Sequence, residues 1–523
     1  MTDKQNLTAQ RRLGQHTPLS IRHRARGTRR RAGIKNQSSY LFMFSGHFVI
    51  AGANSIAAYI FPSALWSYTS LGIFISLCFG MLKTSPATFL FFAPLIVLRI
   101  TEFISGAAIE SGAFMTETQT IGEATGAFSR LLLVYIPFLG IAAALIEAYW
   151  PRLRQLYRAA RPVWQENANF IWQALLITAI LCSLLLLWVG LQNGFPLLGG
   201  IDRFAYERRV DSPLYGGFMR NRLVLVPFIG ALLALPRYRL RATGLTLWLL
   251  AASILFGEKF TSLVLILSMV GIPAVLVHIA YDRPIPVRSL VMGSAVMTAL
   301  TIPAVLLAYG AASDLDLAIQ RYGNRTALQG QLWYQTDKAF ARPIAFDQAT
   351  LSADVATWFS PSAQDPTVVR TDFGRYFVMK QFTSWEYMLG LMKLNSGFVF
   401  SLYPYLMMTT GVTGMLVAST FLALYHALLL LLLSQSLARA NWIAALLLGR
   451  AVNSLYATYA DGYLWNILGI KTLSTIGMAM FFLWELGRRD SILRAIARTF
   501  GWRKRARVRG PRSAYRIPVP GRP

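Results

Sequence analysis

Between Tyr40 and Leu486 the chain returns repeatedly to continuous apolar runs of near-spanning length, roughly 20 residues for a straight helix across a bilayer. That repetition leaves few architectures open. A membrane barrel would show weak alternating segments of about 10 residues, whereas runs such as 170–189 and 411–433 are apolar without alternation. In hydrocarbon every backbone polar group must be satisfied within the segment, so helices are the remaining solution. Composition agrees: 55% of residues are hydrophobic and the mean hydropathy is +0.45.

Twelve helices are expected, at 40–61, 64–82, 86–105, 127–149, 169–191, 221–236, 243–257, 261–281, 289–312, 403–434, 440–460 and 466–486. The expected fold class is all-α, a polytopic integral membrane protein with about twelve transmembrane helices and two enlarged outer loops. The segments 221–236 and 243–257 are short for straight spans and suit a re-entrant pair. The chain divides into a basic tail (1–39), nine helices (40–312, with an outer loop at 193–220) and a large outer loop (313–385). An interfacial segment with three further helices (386–486) and a second basic tail (487–523) complete it.

The net charge of +28 would suggest nucleic acid in a soluble chain, but its distribution argues for topology. Residues 1–35 hold ten Lys/Arg against one Asp, and 487–523 hold twelve against one. Basic flanks of membrane helices stay on the cytoplasmic side, and no nucleic-acid motif accompanies them. An even number of spans puts both tails there. The same parity assigns to that side Lys83, Arg152, Arg154, Arg158, Arg161, Arg237, Arg239, Arg241, Arg283, Arg288 and Arg439. The acidic connection with Glu110, Glu117 and Glu123 and both long polar loops fall on the other. The Arg-rich start reads as part of a retained signal anchor, since no small-residue cleavage pattern follows. Cys78 and Cys182 lie within apolar runs and read as packing residues.

Chemistry-bearing residues concentrate on the outer side. Arg203, Arg208, Arg209, Arg220 and Arg222 crowd one loop against the topological bias. They either bind phosphate through the guanidinium fork or pair with Asp202, Glu207 and Asp211. Glu258 and Lys259 occupy a turn so short that both charges lie at the membrane boundary, paired with each other or serving as base and head-group contact. Arg99 with Glu102, Arg450 and Lys471 are charges inside helices. In the long loop, Arg321 and Arg325 are four residues apart, on one face if helical. Trp333 and Tyr334 offer rings for stacking on sugars or, equally, for a small subdomain core. Trp385, Tyr387, Tyr403 and Tyr405 are expected at head-group depth. None of the five histidines lies in an outer loop, so no zinc site or loop histidine base is expected there, and no Walker motif is present.

With these residues in view, the chain resembles the Wzy-type oligosaccharide repeat-unit polymerases of O-antigen and exopolysaccharide synthesis. The likeness is architectural: a multi-helix membrane protein whose third and fifth outer loops are enlarged and arginine-bearing, with a Gly257-Glu258-Lys259-Phe260 turn after a short helix pair. The resemblance implies a glycosyltransferase of the bacterial inner (plasma) membrane, with both termini cytoplasmic. It would join undecaprenyl-pyrophosphate-linked repeat units at the periplasmic face without cofactor or metal. It further implies Arg203, Arg208, Arg209, Arg321 and Arg325 around the departing pyrophosphate. Glu258, or alternatively Glu207 or Asp461, would be the base, and Arg220, Lys259, Trp333, Tyr334 and Arg450 would contact substrate. The expected partners are lipid-linked oligosaccharide, membrane lipids, a chain-length regulator and a flippase; nucleic acid is not expected. An O-antigen ligase, which should carry a loop histidine, a lipid-linked-saccharide flippase and a structural partner of an export machine are the competing classes.

Overall fold

The computed structural model describes residues 19–489 apart from 200, 202–205, 208, 211, 259, 281–302, 304–305, 307–313, 328, 361–369, 394–396 and 440. Helices dominate, as the apolar runs require. In order they begin with α1 (Leu19–Ile60), α2 (Leu65–Thr84) and α3 (Pro86–Glu110), the last opened by a proline where the missing N–H is no loss. A two-stranded hairpin pairing Phe114 with Ile121 and Met115 with Thr120 leads into α4 (Ala127–Asn193). Next come α5 (Pro196–Gly199), α6 (Pro213–Leu233), α7 (Arg239–Leu255) and α8 (Phe260–Ala280). The long polar segment contributes α9 (Leu315–Ala327), α10 (Gln331–Phe340), α11 (Gln348–Trp358) and α12 (Gly374–Met379). It is followed by α13 (Trp385–Lys393), α14 (Leu402–Ala438), α15 (Trp442–Asp461), α16 (Trp465–Leu468) and α17 (Ile470–Arg489).

Among the described residues, seven helical stretches are long and apolar enough to cross a membrane, or eight counting α6, which bends by 48° between Met219 and Arg222. The protein is therefore an all-helical, multi-pass membrane protein. Several expected helices take a different form. The segments 127–149 and 169–191 each fall in a separate candidate span, Ala127–Ala159 and Gln165–Gly199, and the backbone between them stays helical, so both lie on one continuous α4. Helix α6 starts at Pro213, capped by Ser212, which accepts from Tyr215 N, so part of the expected outer loop is helical. Helix α7 is 17 residues long, and the expected helix at 289–312 lies almost wholly outside the described residues.

Helices α3, the first half of α4, α14 and α15 form the packed interior. Apolar side chains such as Phe42, Phe79, Leu184 and Trp484 point outward from α1, α2, the second half of α4 and α17, as lipid contact demands. The polar segment is not a free domain. It closes one end of the bundle, where α10 is held to the α3–α4 connection. Gly330 N donates to Ser105 Oγ (2.8 Å), Trp333 Nε1 to the Ala127 carbonyl (2.8 Å), and Arg130 Nε grips both carboxylate oxygens of Asp337 (2.9 and 3.0 Å). Glu117 accepts from Gln331, and Glu123 from Lys338.

Helix α14 reverses direction at Gly411, whose φ of +72° is the left-handed region that glycine enters without strain. The chain folds back so closely that Tyr403 and Ser419, eight residues to either side, meet at 3.4 Å. The broken backbone is satisfied by the loop: Val412 N and Thr413 N donate to the carbonyls of Arg342 and Pro343, and Asp347 N donates to Thr409 O. Tyr403 and Tyr405 are buried within the fold, whereas Trp385 and Tyr387 of α13 are exposed.

Candidate functional site

At the loop-covered end, α15, α16 and α17 enclose a recess of about 140 Å³, several times the space of one water. Its lining is cationic and hydroxylic. Arg450 and Ser454 come from α15, Trp465 and Asn466 from α16, and Lys471, Thr472 and Thr475 from α17. No carboxylate is among these lining residues. Arg450 and Lys471 are exposed, while Thr472 and Thr475 are buried. The short α16 shapes the recess. Thr472 Oγ1 donates back to the Asn466 carbonyl (2.8 Å), and Thr475 Oγ1 to that of Lys471 (2.6 Å), fixing the start of α17. The Thr472 and Thr475 hydroxyl protons are spent on these carbonyls, so the two cations, the Asn466 amide and the Ser454 hydroxyl are what suit a phosphoryl group.

The wall toward the loop is aromatic. Trp465 stacks on Tyr463 with centroids 4.6 Å apart, and Phe373 meets Trp465 edge-on at 5.5 Å. Arg375 Nη1 donates to Asp461 Oδ1 at 3.2 Å and joins α12 to the end of α15. Arg450, Ser454 and Asp461 fall on one stripe of α15, spaced by four and seven residues. Asp461 thus stands about 10 Å beyond Ser454 toward the loop.

The structure gathers only some of the residues singled out from sequence. Arg450 and Lys471 share the recess. Arg203, Arg208 and Lys259 lie outside the described residues, as do the side chains of Arg220, Arg321 and Arg325, although the helix carrying Arg321 and Arg325 is present as α9. Arg209 is exposed. Glu258 is not among the residues lining the recess: it is buried, with Arg222 donating to one of its oxygens and Ser262 to the other. Trp333 and Tyr334 are corrected as stacking platforms. They are 2% and 1% exposed, with Tyr334 Oη accepting from Glu123 N (2.9 Å), because α10 uses them to dock. Arg99 and Glu102 form a buried pair at 2.6 Å. Among the described residues no cluster of three or more His, Cys, Asp or Glu converges as a metal would need.

Sequence reasoning missed Ser454, Asn466, Thr472, Thr475 and Arg375. Hydroxyl residues are ordinary in membrane helices, and only the turn through α16 gives these a common target.

Residues 369–476 match a family of unknown function, DUF6418; this stretch includes every residue lining the recess as well as Arg375 and Asp461. No curated protein and no solved structure matches.

Proposed function

We propose that this protein polymerises lipid-linked oligosaccharide repeat units at the outer face of the bacterial inner membrane, taking undecaprenyl-diphosphate-linked glycans as both donor and acceptor. The observation that carries this reading is the recess of Arg450, Lys471, Ser454 and the α17 threonines, cationic and without a lining carboxylate, at the bundle end that the loop covers. A polyprenyl diphosphate places its charge at that depth and its tail in lipid.

In the transfer, the bond between the growing chain's anomeric carbon and its diphosphate oxygen breaks. A new bond forms from that carbon to a hydroxyl of the next unit, and undecaprenyl diphosphate departs with the electron pair. Arg450 and Lys471 stabilise the charge that develops on the leaving group. The hydroxyl proton needs an acceptor, and Asp461, on the same stripe of α15 as Arg450, replaces Glu258 in that role. Arg321 and Arg325 on α9, with Arg203, Arg208, Arg209 and Arg220, are assigned to the second lipid-linked substrate. Twelve spans with both basic tails cytoplasmic complete the proposal, and a chain-length regulator and a flippase are its expected partners.

The test is the surface glycan profile, separated by size, in a strain whose only copy carries Arg450→Ala and Lys471→Ala. The expected result is loss of the polymer ladder with single repeat units retained and protein level unchanged. An unaltered ladder removes the recess from the reaction. Loss of all outward-facing glycan on deleting the gene points instead to a flippase.

A further inference from the structure

A second site lies away from the recess, around Arg99. This side chain is 2% exposed, and its Nη1 donates to Glu102 at 2.6 Å. Tyr135 Oη donates to the same Glu102 oxygen at 3.0 Å. Arg99 Nε and Nη2 meet no acceptor among the described residues. Those two donors form the side of the guanidinium that binds two oxygens of one anion in parallel. Leaving such donors buried and unbonded costs on the order of 1–3 kcal/mol each.

Rings enclose the guanidinium. Tyr135 and Phe400 lie 4.7 and 4.6 Å from its central carbon, and Tyr403 and Tyr459 lie 5.5 and 5.9 Å away. Phe400 differs from the others. With Gln119 it is one of two non-glycine residues at positive φ among the described residues, at +62°, in the segment that enters α14. A bulky residue holds that conformation at a cost, and Phe400 uses it to lay its ring over the guanidinium. The level is also informative: Ser401 N bonds to the Ala460 carbonyl, so Phe400 sits beside the last turn of α15, where bundle and loop meet.

We propose that Arg99 is an oxyanion-binding residue whose Nε and Nη2 take a carboxylate or phosphoryl group of a ligand, and that Phe400 is the side chain displaced to admit it. The aromatic walls receive the apolar face of whatever carries the anion, either an acidic sugar ring or a polyprenyl chain. Glu102 orients the guanidinium from its Nη1 side and leaves the fork free. The inference is independent of the polymerase reading, since it requires only binding.

The test uses the full-length protein in detergent, carrying Arg450→Ala and Lys471→Ala so that the recess does not contribute, titrated calorimetrically with methyl glucuronide and with farnesyl phosphate. Saturable binding of one probe is expected, the glucuronide marking a glycan carboxylate and the farnesyl phosphate a lipid source. Adding Arg99→Lys, which keeps the charge and removes the fork, should weaken that binding about tenfold or more. Phe400→Gly, which frees the positive φ and removes the cover, should tighten it. Absence of saturable binding to both probes, or affinity unchanged by Arg99→Lys, overturns the proposal. If Arg99→Lys does not fold, unchanged affinity in Phe400→Gly overturns it equally.

Discussion

Asp354 shows how far a single residue of the polar segment has been drawn into the fold. Its carboxyl is fully buried on α11, accepting from Tyr405 Oη (2.7 Å) and Trp358 Nε1 (3.0 Å), and burial pushes its pKa up to about 6. Because the folded value lies above the unfolded one, the folded state favours the proton. This contribution to stability is complete below about pH 4 and is lost as pH rises to about 6. The shift of roughly 2 units corresponds to about 3 kcal/mol at most. Asp354→Asn keeps both contacts, its oxygen accepting from Trp358 and its amide donating to a rotated Tyr405 hydroxyl. Melting in detergent at pH 4.5, 6 and 7.5 should show wild type losing stability relative to the variant with rising pH; parallel curves would refute the assignment. The sequence gives no hint of this residue. An aspartate in a polar loop reads as solvated, and only α14 folding back brings Tyr405 over it. Arg450 and Lys471 were legible because charges inside apolar runs need a reason, whereas Trp333 and Tyr334 misled because docking and stacking call for the same rings.

At the scale of elements, the apolar period reveals a helix more readily than its breaks. Helix α14 reads from sequence as one continuous span at 403–434, yet the turn occurs at Gly411, with no proline beside it. What makes it possible is tertiary: carbonyls of Arg342 and Pro343 must arrive to bond Val412 and Thr413. Gly411→Ala places a Cβ 2.5 Å from Ala345 N in a left-handed conformation. That conformation alone costs about 1–2 kcal/mol, before the contact is counted. Gly216→Ala, inside α6 with nothing within 4 Å of the new Cβ, should be neutral or stabilising by up to about 1 kcal/mol. Thermal unfolding of the two variants in detergent separates backbone requirement from helix propensity. Equal melting temperatures would mean that the reversal is not needed. In α4 the two apolar runs mark the two candidate spans, Ala127–Ala159 and Gln165–Gly199, while the polar stretch between them gives no sign that the backbone stays helical through it.

For the whole molecule, contacts define one loop-covered end without stating which side of a membrane it faces. The hairpin after α3, the reversal at Gly411, α16 and the polar helices all gather there; the α2–α3 turn and the start of α15, where Asn441 Nδ2 donates to the Phe482 carbonyl, mark the other. The proposed direction comes from the charge pattern: Lys83 and Arg439 belong to the second end, and positive residues are expected on the cytoplasmic side. This orientation is open to chemistry because the sequence holds only two cysteines, Cys78 buried and Cys182 half-buried. With both replaced by Ala, a single cysteine at exposed Ser352 on α11 should react with a membrane-impermeant maleimide in intact spheroplasts. A single cysteine at exposed Lys83 should react only after lysis. Labelling in the reverse order would place the recess on the cytoplasmic face and overturn the proposed outer-face reaction.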